Sequence, residues 1–141
     1  MEEKETLANV VVNHMFAKDE FSKWLGIEIG VIAAGTCTLS MTVRPEMLNG
    51  FGIAHGGITY ALADSALAFA ANGLGVESVS IETSISHTRP LKHGEVITAI
   101  AKELNVTKRF AIFEVMVTNN QGHTVAIFKG TVFRTGKAWD I

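Results

Sequence analysis

The sequence predicts an α+β fold, in which a curled antiparallel sheet of five to six strands wraps around one long apolar helix. Three observations predict it. Residues 57–72 carry alanine at 61, 63, 66, 68, 70 and 71 and have no polar face, so they must be enclosed by other structure. Six runs with the alternation or β-branched content of strands surround that segment, two before it and four after it. The chain has 141 residues, 48% of them apolar and only two of them proline, which is enough to bury one core and too little for two.

The elements follow in order. Leu7, Val10, Val11, His14, Met15 and Phe16 fall at helical spacing, followed by Phe21 and Trp24, while Lys18, Asp19, Glu20 and Lys23 take the other face. This predicts one or two amphipathic helical turns ending at Gly26. Residues 27–33 and 36–43 read as a hairpin turning at Ala34-Gly35, closed by Arg44-Pro45 because proline cannot donate to a central ladder. A glycine-rich loop, Asn49-Gly50-Phe51-Gly52-Ile53-Ala54-His55-Gly56-Gly57, leads into the apolar helix. After it, Val79, Ile81, Thr83, Ile85 and His87 alternate with Ser80, Glu82, Ser84, Ser86 and Thr88. Residues 96–106, 110–118 and 124–134 complete four strands in an expected antiparallel meander, with Asn119-Asn120-Gln121-Gly122 as the last turn. No linker, repeat or low-complexity tract interrupts 1–141, so one domain is expected, with 1–25 as a helical segment and 26–135 as its core.

Composition excludes several classes of function. A formal net charge of −2 argues against nucleic acid and anionic membranes as partners. The start, Met1-Glu2-Glu3-Lys4-Glu5, lacks the apolar core of a leader, and the lone Cys37 cannot form an internal disulfide, so a cytoplasmic protein is expected. Between Met47 and Val76 the only formal charge is Asp64, yet residues 57–72 fall short of the roughly 20 needed to span a membrane. The five histidines show no His-x₃-His pairing and no CxxC is present, so no metal site is expected. Gly50-x-Gly52 follows no strand of a βαβ unit, which removes dinucleotide binding.

Chemistry concentrates in two places. Asp64 lies about two turns into the helix, too deep to cap it, and its neighbours Ala61, Leu62, Ala63, Ser65, Ala66 and Leu67 offer no counter-charge. Such a carboxyl is costly to bury and its pKa tends to rise, which suits a general base; the other reading is a structural hydrogen bond to a loop or across an interface. His55-Gly56-Gly57 stands where the helix begins, and free N–H groups there form a natural site for a carbonyl or oxyanion, although glycines also simply make turns. Gly56 and Asp64 are eight residues apart, about 12 Å of helical rise. One substrate carbonyl cannot meet both on a single helix. If both act on one bond, two copies of the chain must supply them.

Asn49-x₅-His55-Gly56-Gly57, followed by Ala61-Leu62-Ala63-Asp64-Ser65-Ala66 and Asn72, resembles the hotdog-fold acyl-CoA thioesterases of the phenylacetic-acid-degradation (PaaI-type) family. Arg89-Pro90, Gly94-Glu95 and Val125-Ala126-x-Phe128-x-Gly130-Thr131 resemble it too, so that the likeness covers about residues 25–135. The resemblance implies a hotdog fold, homodimers that pair into homotetramers, and hydrolysis of acyl-CoA thioesters with no metal or cofactor, coenzyme A being part of the substrate. Carried over by motif, Asp64 acts as general base or as nucleophile. The amide of Gly56, helped by Gly57, polarises the thioester carbonyl, and His55 and Asn49 orient the thioester and the loop. Ser80 matches a position where some relatives position water with a hydroxyl, and Ser65 is expected to give a supporting hydrogen bond.

The phosphates of coenzyme A need cations, for which Arg89, Lys108, Arg109 and Lys92 are candidates, each equally readable as a solvated turn residue. Phe51, Tyr60 and Phe69 are candidates for an acyl pocket, or for core. The expected substrate carries an aryl-acetyl, other aromatic or medium-chain acyl group. The rivals are a hotdog dehydratase or hydratase and a non-catalytic acyl-CoA binding module.

Overall fold

A computed structural model describes residues 5–141; the acidic start, residues 1–4, lies outside the described residues. Two helices open the chain where only one or two turns were expected. Helix α1, Leu7–Lys18, is capped by the Thr6 side chain, which accepts from the N–H of Asn9. Helix α2, Glu20–Leu25, is capped by Asp19 and ends at Gly26, whose φ of 78° terminates it as the sequence suggested. Arg44 holds that end down: its guanidinium donates to the carbonyls of Leu25 and Trp24 at 2.6 and 3.0 Å.

Strands β1 (Glu28–Ala33) and β2 (Thr36–Thr42) form the expected hairpin. The apolar helix α3 spans Gly56–Asn72. Strands β3 (Val76–His87), β4 (Val96–Val106), β5 (Phe110–Thr118) and β6 (Thr124–Ala138) follow. All pair antiparallel in one six-stranded sheet of order β1-β2-β4-β5-β6-β3. The sheet curls around α3, whose Leu62, Ala63, Ala66, Leu67 and Ala70 are fully buried against Leu39, Ile97, Phe113 and Phe128. This is the hotdog arrangement.

The four-strand meander is corrected. Only β4, β5 and β6 meander, and β3 pairs with β6 at the far edge of the sheet. The reason is the connection after His87. Eight residues, Thr88 to Glu95, are too many for a tight hairpin. They cross the N-terminal end of α3 instead, fixed by Leu91 C=O accepting from Ala54 and by Val43 C=O accepting from Gly94.

Strict alternation along β3 is broken as well. Ser80 pairs with Val132 and Glu82 with Thr131, so Ile81 is a bulge. Before it Ser78 and Ser80 face α3; after it Thr83, Ile85 and His87 do.

Candidate active site

The loop before α3 is shaped by Asn49. Its Oδ1 accepts from the N–H groups of Phe51 and Ile53, at 2.9 and 3.4 Å, and its backbone N–H donates to the Ile53 carbonyl. The loop delivers His55 as the N-cap of α3, where its Nδ1 accepts from the N–H of Gly57 at 2.8 Å. That bond divides the two glycine amides. Gly57 is occupied, whereas the N–H of Gly56 meets no acceptor among the described residues. It points from the positive end of a 17-residue helix. Gly56 lines a hollow of about 350 Å³ with Asn49, Thr59, His87, Arg89 and Val125.

Asp64 lies two turns further along α3, half-buried, and its carboxylate has no hydrogen-bond or ionic partner among the described residues. Desolvation by burial raises its pKa above the ordinary carboxylate value, the direction expected of a general base. It borders two hollows. One, of about 260 Å³, is shared with Met15, Leu67, Ser78, Ser80 and Val132. The other, of about 540 Å³, opens between α1, α2 and α3 and is lined by His14, Met15, Phe21, Ser65, Phe69 and Trp139.

Ser65 is tied to the N-terminal helices. The Ser22 hydroxyl donates to Asp19 at 2.7 Å, so the Ser65 hydroxyl is the donor in its own 2.9 Å bond to Ser22. The single thiol, Cys37, is buried in β2 and pushed up to about 12, so it stays protonated.

The structure gathers the expected residues into two groups. Asn49, Gly56 and Arg89 share the hollow at the start of α3; Ser65 and Ser80 flank Asp64. Within one chain the groups stay apart.

Lys108 and Arg109 lie elsewhere, in the β4–β5 turn beside Arg134. Along β6, Phe133 (opposite Phe110) is seven residues from Ala126 (opposite His87), about 23 Å of strand. Lys92 is exposed in the β3–β4 connection. Among the aromatic candidates Phe69 lines the hollow beside Asp64. Phe51 is 92% exposed at the loop tip, and Tyr60 bonds Thr83 at 2.6 Å with its ring edge-on to Phe128.

Sequence reasoning missed His87, whose inward position depends on the bulge, and Met15, Phe21 and Trp139, which reach Asp64 only through helix packing. Among the described residues no group of three His, Cys, Asp or Glu side chains is placed to hold a metal, and no helix is long and apolar enough to cross a membrane.

The family model of the thioesterase superfamily matches residues 51–126, which include Gly56, Asp64, Ser65, Ser80 and Arg89 and begin two residues after Asn49. The chain belongs to the thioesterase superfamily. As a member it is a thioester hydrolase. It is 36% identical over 122 residues to the acyl-coenzyme A thioesterase PaaI of Escherichia coli K12, which covers 86% of this chain and 87% of that protein. The solved structure of E. coli PaaI superimposes with a TM-score of 0.92, covering 94% of this chain and 96% of that one at 34% identity. The TT0310 protein of Thermus thermophilus gives 0.80 at 41% identity over 82% of this chain and 97% of that one. A Streptococcus mutans protein solved bound to acetyl CoA gives 0.78 at 25% identity, over 80% of this chain and 91% of that one.

Proposed function

We propose that this thioester hydrolase acts on acyl-CoA, with an aryl-acetyl, other aromatic or medium-chain acyl group, in an active site that two subunits share. The observation that carries the reading is the pairing of opposites on one helix. A free amide at Gly56 suits a carbonyl oxygen, and an unpartnered carboxylate at Asp64 suits attack on that carbonyl, yet about 12 Å of rise separates them. Strand β3 supplies the means of uniting them. It has 12 residues, pairs with β6 alone among the described residues, and leaves Val79 and Ile81 each 57% exposed at the sheet's edge. An unpaired edge of that length and polarity invites a second strand.

In the shared site the thioester oxygen sits on the Gly56 N–H while Asp64 of the partner subunit approaches the carbonyl carbon. The carboxylate either removes a proton from the attacking water or adds to the carbon itself, giving an anhydride that water then opens. The C–S bond breaks, the sulfur leaves as the coenzyme A thiolate and takes up a proton, and the free acid departs. Arg89, in the Gly56 hollow, is placed for a phosphate of the leaving group. The 540 Å³ hollow beside Asp64, walled by Met15, Phe21, Phe69 and Trp139, suits an aromatic or aliphatic acyl group. Two relatives support the substrate class, E. coli PaaI by its name and the S. mutans protein by its bound acetyl CoA.

The test is thiol release from a panel of phenylacetyl-, benzoyl-, octanoyl- and acetyl-CoA, with Asp64→Ala in parallel. The expected result is turnover of the larger acyl groups, reduced about 10²- to 10⁴-fold or more by the substitution. Hydrolysis by Asp64→Ala at the parent rate overturns the reading, as does addition of water to an enoyl-CoA without thiol release.

A further inference from the structure

We propose that His87 is a catalytic residue of the thioester site, donating a ring N–H to the thioester carbonyl oxygen beside the Gly56 amide. The inference rests on the function proposed above. Three observations lead to it. First, the two glycine amides are not both available, since the N–H of Gly57 is spent on His55. One backbone donor therefore remains, whereas an oxyanion is held best by two or more donors fixed in advance.

Second, the imidazole of His87 lies directly against Gly56. A Cβ at position 56 would come within 3.0 Å of Nε2 and 3.2 Å of Cε1, so the Nε2 edge of the ring fills the space that glycine leaves open. Ring and free amide thus adjoin the same hollow, together with Asn49 and Arg89. Third, neither ring nitrogen has a hydrogen-bond partner among the described residues. Asn49, which also lines the hollow, has its Oδ1 engaged by its own loop, so only its Nδ2–H₂ group can face a ligand there. The position of His87 is set by backbone rather than by any partner. It ends β3 opposite Ala126, faces inward because of the bulge at Ile81, and is followed by Thr88, whose N–H donates to the Val125 carbonyl. A neutral imidazole carries one N–H and can serve as such a donor without changing charge.

No bond to His87 forms or breaks in this role. Negative charge grows on the thioester oxygen as Asp64 or its water attacks, and the N–H stabilises it more strongly there than in the ground state. The effect should therefore fall on kcat.

The experiment compares the full-length parent, His87→Phe and His87→Gln by thiol release from whichever acyl-CoA the parent turns over fastest. Coenzyme A affinity and molecular mass in solution are measured alongside. Phenylalanine keeps the ring that packs on Gly56 and removes the donor; glutamine keeps a donor and removes the ring. The expected result is a kcat about 10²- to 10³-fold lower for His87→Phe, with KM, coenzyme A affinity and mass little changed. His87→Gln should recover kcat to within about tenfold of the parent. Parent-like kcat in His87→Phe overturns the inference, and so does an equal loss in both variants, which marks a packing role. Hydrolysis by the parent with either of these outcomes defeats the role of His87 alone; no hydrolysis by the parent defeats the underlying function.

Discussion

Ser80 and His87 face the same side of β3 although they are seven residues apart, a spacing that places side chains on opposite faces of a regular strand. Ile81 reconciles them by bulging between Ser80 and Glu82. One edge strand consequently attends both chemical groups on α3, with Ser80 beside Asp64 and His87 beside Gly56. An antiparallel partner strand centred between Thr83 and Ser84 would set His87 of one subunit across from Ser80 of the other. The Gly56 hollow of one chain would then meet the Asp64 hollow of its twin. The same arrangement brings the β4–β5 turn, with Lys108 and Arg109, towards the partner's Arg89, although these cations lie at opposite ends of one chain's sheet.

That arrangement makes the β3 edge a target. Val79 and Ile81 are exposed in the isolated chain, and replacing both with lysine puts charges that pairing would have to desolvate on the edge proposed to meet a second copy. The Val79→Lys/Ile81→Lys variant should be a folded monomer with far-ultraviolet circular dichroism like the parent's. Its thioester hydrolysis should fall by at least about tenfold at concentrations where the parent is oligomeric, since lost apolar burial and desolvation of the new charges of about 1.4 kcal/mol suffice for such a shift. Sedimentation and turnover measured on the same sample decide it. A monomer with parental activity would show that one chain contains the whole site.

Asp64 should cost the fold stability wherever it is charged. Its pKa in the folded chain is raised by desolvation, so ionisation favours the unfolded state, where the carboxyl is an ordinary one. The stabilising preference for the neutral form is complete below the unfolded pKa of about 3.9 and is lost as pH rises through the folded value. Asp64→Asn removes this dependence. The variant should unfold at a higher urea concentration than the parent at pH 7.5, with the advantage narrowing as pH falls through that window. An advantage that is constant with pH would mean that the carboxyl is not perturbed in the folded protein.

His55 has a structural duty that stability measurements isolate. Its Nδ1 caps the N–H of Gly57, and a cap removed to alanine typically costs about 1 kcal/mol. His55→Ala should lose about that much in urea unfolding, and His55→Asp, which restores an acceptor at the N-cap, should regain most of it. Gly57→Ala should mimic the loss, because its Cβ would meet His55 Nδ1 at 2.9 Å and push the cap aside. If His55→Asp is no more stable than His55→Ala, the cap contributes nothing.

Much of this was legible in the residues. An alanine-rich helix with no polar face announces that something wraps it, and Asp64 stands out because no neighbour can neutralise it. The separation of Gly56 from Asp64 follows from helical rise alone. Other features depend on distant parts of the chain. Period-two alternation from Val79 to Thr88 fits a regular strand, and only the register against Val132 and Thr131 reveals the extra residue. Pairing of β3 with β6 rather than β4 is a choice among non-local partners, decided by the connection over the start of α3. The motif likewise offered the Gly57 amide as a helper to that of Gly56, a role corrected by the rotamer of His55, which takes the Gly57 N–H for itself.

The close approach of α3 to the sheet is set by Gly130 on β6. A Cβ there would overlap the Cδ2 methyl of Leu67 and come within 3.2 Å of both Leu67 Cδ1 and Phe128 Cε1. Leu67 and Phe128 are fully buried, so neither can swing into solvent to make room. The backbone at Gly130 does not have the positive φ that would itself disfavour alanine, and the penalty is therefore steric. Gly130→Ala should destabilise the fold by about 1–3 kcal/mol despite the lower chain entropy of alanine in the unfolded state. Leu67→Ala alone should cost about 2–5 kcal/mol through the cavity it leaves. In the double variant the new methyl group enters that cavity, so the two losses should sum to more than the combined loss, with a coupling of at least about 0.5 kcal/mol. Additive losses in urea unfolding would mean that α3 shifts away from β6 rather than pressing on position 130. Asp64, one turn before Leu67 on the same helix, would then move with it, and the loss of turnover in Gly130→Ala would exceed anything explained by its stability.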